Sequence, residues 1–550
     1  MAQRGGRTEV ELVEDDDVLD TRPHRGRGGR APGRDDGRHG PQHGPGGERG
    51  SADDHAGEDD DAPAPPRPGA RRRRRLRTAV GAALVLVLVG AQVATSASER
   101  AEVAALRALP GVRGPLPATL AETWRVPGDR LPVALGTGLD PLAGPLLGLR
   151  QTPTGVDLVA LDPPTGADAW VRPLTSAPAD VAEALGTPLP RCAPVGRTPA
   201  RPSPARPSPA RPADAGTATG RPAEVVCLVT DAWTRDGGVV VQDVPATTSR
   251  LLRVRTDDGS VRADHVVDAT PGVPATSFAL LGDVAVLGYP LDAGALLVRG
   301  VDAVTGEERW WRDGRPGDVL PGAPAVVHGT DGVVAVPRGA TLQLLDADGR
   351  PVRPVRLREG GALHEHVDAR GTSRLVVQEG PHARLVTAAR TGRLPGPPAT
   401  VTVDDGSAGD LLLAASAEGL HALEGPDLRQ RWSVPVGDVQ QVLVLRGRVH
   451  AVAPDGVRTY DARTGEPVWQ RTHDARDEVP AGPVGTDGEV LHVPVADEEG
   501  GEVARVLRLG VADGRAADEP VAVPAGLLTV RVGHDVVLGW RTDGDVTALR

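Results

Sequence analysis

Two histidines, two cysteines and a scatter of carboxylates are where chemistry would be sought in this chain. His364-Glu365-His366 puts two imidazoles on one face of an extended strand, the beginning of a zinc or copper site. Two ligands do not complete such a site, and a solvated strand is the competing reading. Cys192 and Cys227 are the only cysteines, too few for a disulfide-dense scaffold or a Cys-rich zinc module. Trp310-Trp311 has the look of a sugar-stacking pair. No G-x-S-x-G, P-loop or H-E-x-x-H motif occurs, and no two carboxylates pair by spacing into a general acid/base couple. Beyond His364 and His366 as weak metal candidates, the sequence names no catalytic, cofactor-binding or metal residue.

Composition narrows the classes. The chain has 550 residues and a net charge of −12, which argues against nucleic acid as a partner. All 62 basic residues are arginine; Lys, Ile and Asn are absent, a bias that follows AT-rich codons. The missing Asn excludes N-glycosylation sequons. With 70 Gly and 53 Pro, part of the chain is expected to lack a packed core. Eight of the few aromatic residues are Trp, an excess that codon bias does not explain.

The elements that must position these residues fall into four stretches. Residues 1–77 read as a disordered cytoplasmic tail, with Asp15-Asp16-Asp17 and Asp59-Asp60-Asp61 among evenly matched arginines and no apolar cluster to offset the entropy of ordering. Its scattered histidines read as solvated. Arg71 to Arg75 and Arg77 then precede an uncharged stretch, 78–97. About 20 residues at ~1.5 Å each span about 30 Å, the hydrocarbon thickness of a bilayer. The arginine flank sets the N-terminus inside, so the remainder is expected outside the cytoplasm, held by lipid contact over 78–97. A signal peptide is the alternative, since Thr95-Ser96-Ala97 resembles a cleavage site, but a leading region of 77 residues is far too long for one. Residues 98–122 read as a juxtamembrane helix, stopped by Pro110-Gly111, and a short linker.

From 123 to 550 the pattern is short strands, such as 284–288, 332–336 and 441–445, separated by Gly, Asp and Pro. This part is expected to be all-β. A Pro-rich insertion at 197–223, containing RPSPARPSPARP, interrupts it between Cys192 and Cys227. Outside the cytoplasm a disulfide at the base of that insertion is expected, with free thiols as the alternative.

One hairpin recurs. Asp162-Pro-Pro-Thr-Gly166 reaches Trp170, Asp302-Ala-Val-Thr-Gly306 reaches Trp310, and Asp461-Ala-Arg-Thr-Gly465 reaches Trp469, all with one spacing. Glu424 to Trp432 keeps the offset, and Asp257-Asp258-Gly259, Asp346 to Gly349, Arg390-Thr391-Gly392 and Asp513-Gly514 keep only the turn. The Asp caps turn N–H groups, Gly supplies a positive φ, and Trp on the returning strand fills the gap between sheets. A recurrence of roughly 40–50 residues, about four strands, marks a β-propeller.

The hairpin LDxxTGxxxW resembles the repeat of PQQ-like β-propellers, a family that includes quinoprotein dehydrogenases and an outer-membrane assembly lipoprotein. The resemblance covers residues of about 123–550 and implies about eight four-stranded blades, with the Arg390-Thr391-Gly392 turn set aside. Thr123 to Pro127, with Trp124, is expected to pair with 545–550 and close the ring. Quinoprotein enzymes hold PQQ and a calcium-type ion with acidic and Asn ligands, many beside an adjacent cysteine pair; this chain has no Asn and no adjacent cysteines. The expectation is therefore a non-enzymatic, cofactor-free branch: an extracytoplasmic scaffold for a protein or envelope partner. A dehydrogenase-like enzyme and a transmembrane sensor are the alternatives.

Overall fold

The computed structural model describes residues 100–550 except 110, 132–145, 153–154, 177–183, 187–188, 196–222, 237–240, 271, 320–326, 331, 359–360, 368, 370–372, 410, 426, 474–478, 497–500, 518 and 534–535. The expected tail, the span over 78–97 and nearly all of the Pro-rich insertion lie outside these residues. Among the described residues no helix is long and apolar enough to cross a membrane.

Short runs of alternating or continuous apolar residues, cut by glycines at positive φ, leave the chain no option but tight antiparallel hairpins. They assemble as the blades of a β-propeller, lettered A to D from the axis outward. Blade 1 shows strands B to D, at Leu146–Thr152, Gly155–Leu161 and Asp168–Ser176. Blade 2 comprises Arg191–Val195, Glu224–Thr230, Ser249–Arg255 and Val261–Val266. Blade 3 comprises Ser277–Leu281, Val284–Pro290, Leu296–Asp302 and Glu308–Arg312. Blade 4 comprises His328–Thr330, Val333–Arg338, Thr341–Leu345 and Pro351–Arg356. Blade 5 comprises Ala362–Val367, Ser373–Glu379, His382–Val386 and Thr391–Leu394.

Blade 6 shows B to D at Leu412–Ser416, Gly419–Glu424 and Arg429–Val434. Blade 7 comprises Gln441–Leu445, Arg448–Ala453, Gly456–Asp461 and Pro467–Thr472. Blade 8 has an inner edge in two pieces, Val479–Pro480 and Gly485–Thr486, followed by Val490–Ala496, Val503–Gly510 and Val521–Ala522. Blade 9 joins Leu527–Val532, Val537–Arg541 and Asp545–Leu549 to an outer strand from the other end of the chain, Glu122–Pro127. Two additions stand apart: a small sheet of Ala184–Gly186, Trp233–Asp236 and Val241–Val244, and Val401–Asp404, which runs parallel to the A strand of blade 7.

The blades number nine, not the expected eight. The turn at Arg390-Thr391-Gly392, a weak copy set aside because propellers of the resembled family usually have seven or eight blades, leads into the outer strand of a complete four-stranded blade 5.

Closure follows the expected pairing. Trp124 lies opposite Ala548 and Pro127 opposite Asp545. The Thr547 hydroxyl donates to the Trp124 carbonyl at 2.9 Å, and Arg125 reaches Asp545 at 2.6 Å. The core is a chain of apolar clusters in the seams between blades, such as Val334, Val336, Leu296 and Val298 between blades 3 and 4. Residues 100–107 are helical, and residues 112–121, expected as a linker, are seated against blades 8 and 9, where Val112, Leu116 and Leu120 are buried.

Candidate functional site

The recurring turn is built as its residue types require. The Asp461 carboxylate accepts from the N–H groups of Arg463 at 3.0 Å and Thr464 at 2.9 Å, and Gly465, at φ 74°, donates its N–H back to the Asp461 carbonyl. At Asp302 the Arg309 guanidinium, joined by the N–H groups of Thr305 and Val304, holds the carboxyl down to about 2. In the blade 1 copy the Thr165 hydroxyl donates to Asp162 at 2.6 Å. These carboxylates are engaged within their own turns.

Each repeat Trp lies on the turn glycine of the next blade. A Cβ on Gly166 would sit 2.5 Å from the Trp124 ring, one on Gly349 2.4 Å from Trp310, one on Gly465 2.7 Å from Trp432, and one on Gly514 2.4 Å from Trp469. Only glycine allows that approach. The indole N–H then donates to a carbonyl of the same turn: Trp124 to Pro163 at 2.8 Å, Trp310 to Ala347 at 2.8 Å, Trp432 to Ala462 at 2.9 Å, and Trp469 to Val511 at 3.1 Å. Trp170 stacks on Gly259 in the same way, but its buried N–H finds no acceptor among the described residues; Arg172 donates to the Gly259 carbonyl at 3.0 Å instead.

Three seams use other residues, none of which the repeat pattern points to. In blade 2 the Trp position holds Ala263, and His265, two residues along the strand, stacks on Gly306 with its Nε2 2.9 Å from the Val304 carbonyl. In blade 4 that position is Arg353, which donates to the carbonyls of Thr387 and Ala388 and to the Thr391 hydroxyl. In blade 5 it is Gly392. The next turn supplies the bulk from the other side, since Leu428 takes the usual glycine position at φ 51° and projects over Gly392. Trp311 has no seam role; it is 54% exposed and faces Arg299 across the hairpin.

Cys192 and Cys227 are directly opposite one another on strands A and B of blade 2 and form a buried disulfide. The bridge seals the base of the insertion.

His364 and His366 sit on the A strand of blade 5, His364 exposed and His366 partly covered. No group of three metal-binding side chains forms around them or elsewhere among the described residues. Glu365, between them, is half-buried and accepts from the Ser373 hydroxyl at 2.5 Å; desolvation pushes its carboxyl up. The structure instead brings His364 into electrostatic range of His328, the first residue of the blade 4 A strand. Burial first, then the charges of Arg191 and His364, pushes the His328 imidazole down to about 4. Arg191 opens the A strand of blade 2, so three innermost strands contribute one basic group each near the axis. None of the three has an ion-pair partner among the described residues. Sequence reasoning had no means of finding Arg191 and His328, because only the ring brings residues so distant in the chain together.

The architecture is that of a β-propeller whose repeat residues serve as latches between blades. No protein-family model matches the chain, and no curated protein matches it. Among solved structures, BamB from Moraxella catarrhalis is similar at 15% identity over 78% of this chain and 100% of that one, with a TM-score of 0.30. Hsv2 from Kluyveromyces lactis is similar at 12% identity over 44% of this chain and 74% of that one, with a TM-score of 0.23.

Proposed function

We propose that this chain is a single-pass membrane protein whose propeller stands outside the cytoplasm as a binding scaffold for another protein or an envelope component, without chemistry of its own. One observation carries the reading. The residues that give the repeat its chemical character are already engaged: the Asp carboxylates hold their own turns, and the Trp and substituted Arg and His hold blade to blade. What a ring so latched offers a partner is its loops, on a frame stiff enough to keep them in register. The span over 78–97 supplies the anchor, and the arginines before it supply the orientation.

The test is photo-crosslinking in intact membranes from full-length protein carrying probes in the loops, with probes on Gly166 and Gly465 turns as controls. A single partner captured from the loops alone is the expected result. Turnover of alcohols or sugars by the purified protein with added PQQ and calcium would overturn the non-enzymatic reading. Protease added to intact cells should cut the propeller loops and spare the tail; the reverse would overturn the topology.

A further inference from the structure

The A–B turns and C–D turns of the blades lie on one face of the ring, because they hydrogen-bond to one another. Ala303 donates to the Asp283 carbonyl at 2.8 Å, Ala462 to Gly447 at 2.8 Å, and Val511 to Glu489 at 2.9 Å. The B–C and D–A connections form the opposite face, where His473 donates to the Asp455 carbonyl at 3.0 Å. The chain enters the propeller on the first of these faces. Glu102 reaches Arg446 in the A–B turn of blade 7 at 3.7 Å, and Arg107 reaches Glu489 in that of blade 8 at 3.8 Å. Leu106 is buried against Gly488, while residues 100–102 at the start of the helix are exposed.

From there the backbone is pinned at intervals across the seam between blades 8 and 9. Arg113 donates to the Thr486 carbonyl at 2.9 Å, Ala522 to Ala118 at 3.0 Å, and Leu120 to Ala522 at 2.8 Å. Ala121 and Arg550 exchange a pair of bonds at 2.6 and 2.9 Å, and Arg508 donates to the Leu116 carbonyl at 2.6 Å. Leu116 and Leu120 join Val506, Val521, Leu527 and Leu549 in one cluster. This is the seam where no Trp-on-glycine latch can form, since strands C and D of blade 9 come from opposite ends of the chain and have no turn between them.

We infer that residues 100–121 are a rigid strap that locks the ninth seam and holds the A–B/C–D face of the propeller toward the bilayer, with the B–C/D–A face turned away from it. The seam lock stands on the contacts alone; the bilayer orientation rests on the membrane anchor proposed above. A swivelling tether would present both faces by turns, whereas this strap is fastened from the inner turns of blade 8 to the outer strand of blade 9. The B–C/D–A face carries the added sheet of blade 2, with Arg191 and His328, which have no ion-pair partner among the described residues.

Full-length protein in lipid vesicles carrying an acceptor dye tests the orientation. Arg463→Cys, in the C–D turn of blade 7, and Pro454→Cys, in its B–C turn, place a donor on opposite faces, with the native disulfide left oxidised. Strands of about six residues separate the faces by roughly 20 Å, so transfer to lipid should be at least about twofold greater from position 463. A flexible Gly-Ser insertion after Leu109 should abolish the difference. Equal or reversed transfer from vesicle-bound protein would sink the orientation, while failure to float with vesicles would sink the anchor itself. Hydrogen exchange reads the seam lock independently of lipid. The amides of Arg113, Leu120 and Ala121 should be as protected as those of the blade 8 strands, and exchange at the rate of an open chain would overturn the strap.

Discussion

Leu428 occupies over Gly392 the space that tryptophan fills in most other seams, and the two residues have traded roles. The large side chain has moved from the outer strand of blade 5 to the turn of blade 6, and the glycine has moved the other way. The exchange keeps the volume and accepts a leucine at φ 51°, a conformation that costs roughly 1–3 kcal/mol and persists because the surrounding contacts offset it.

The trade is testable as a cycle. Gly392→Trp alone overpacks against Leu428 and should destabilise by about 1–3 kcal/mol. Leu428→Gly alone opens a void. Both together restore the ordinary arrangement, and urea unfolding of the four proteins should give a coupling of about 0.5–3 kcal/mol in favour of the pair. Additive effects would show that the two residues pack independently.

Trp124 and Trp311 separate seam from surface. Trp124 is 9% exposed and donates to the next blade, so Trp124→Ala should lower stability by about 3–5 kcal/mol and raise hydrogen exchange along Asp545–Leu549. Trp311→Ala, on a side chain 54% exposed, should stay within about 0.5 kcal/mol. Comparable losses from both would contradict the division.

Acid should weaken the ring through His450. Its side chain is wholly buried, with Nδ1 2.7 Å from the Thr459 hydroxyl, the Trp469 ring 5.7 Å away, and Nε2 without a partner among the described residues. Burial, with Arg448 adding to it and Asp405 opposing, pushes the imidazole down to about 3. The folded state therefore keeps it neutral where the unfolded chain, with an ordinary value near 6.5, takes up a proton. Stability present above about pH 6.5 is lost as pH falls toward 3, at roughly 1.4 kcal/mol per unit for this group. Urea midpoints between pH 7 and 4 should fall less steeply in His450→Leu; an unchanged slope would remove His450 from the account.

Reduction should act through blade 2. In the loop-entropy picture a bridge spanning 35 residues contributes roughly 3–4 kcal/mol. Cys192→Ala with Cys227→Ala should lose stability of that order in denaturant unfolding, and reductant should then have no further effect. A variant as stable as its parent would place the bridge's role elsewhere.

The sequence made the repeat legible wherever the Asp, Gly and Trp stayed together, as at Asp162 to Trp170 or Asp461 to Trp469, and from these the propeller and its closing pair could be read. It hid the seams where another residue took over. Arg353 and His265 do tryptophan's work with different chemistry, and Gly392 with Leu428 erases both signals at once, so blade 5 left the weakest trace and was the one dropped when the count was fitted to the usual seven or eight blades. Residues 112–121 read as a linker because Leu116 and Leu120 show no strand alternation among prolines and glycines; their burial comes from the seam and not from any regular element. The basic groups near the axis were illegible for a third reason: Arg191, His328 and His364 meet only once separate blades are set around a ring.

The placement of the disulfide has a consequence for breakage of the chain. Cys192 and Cys227 bracket the Pro-rich insertion while belonging to paired strands. A protease that severs the backbone anywhere between them leaves two fragments still covalently joined and still hydrogen-bonded in register. Such a molecule would migrate as one species until reduced, so the segment between the two cysteines can be cut, or exchanged for a foreign one, without undoing the ring.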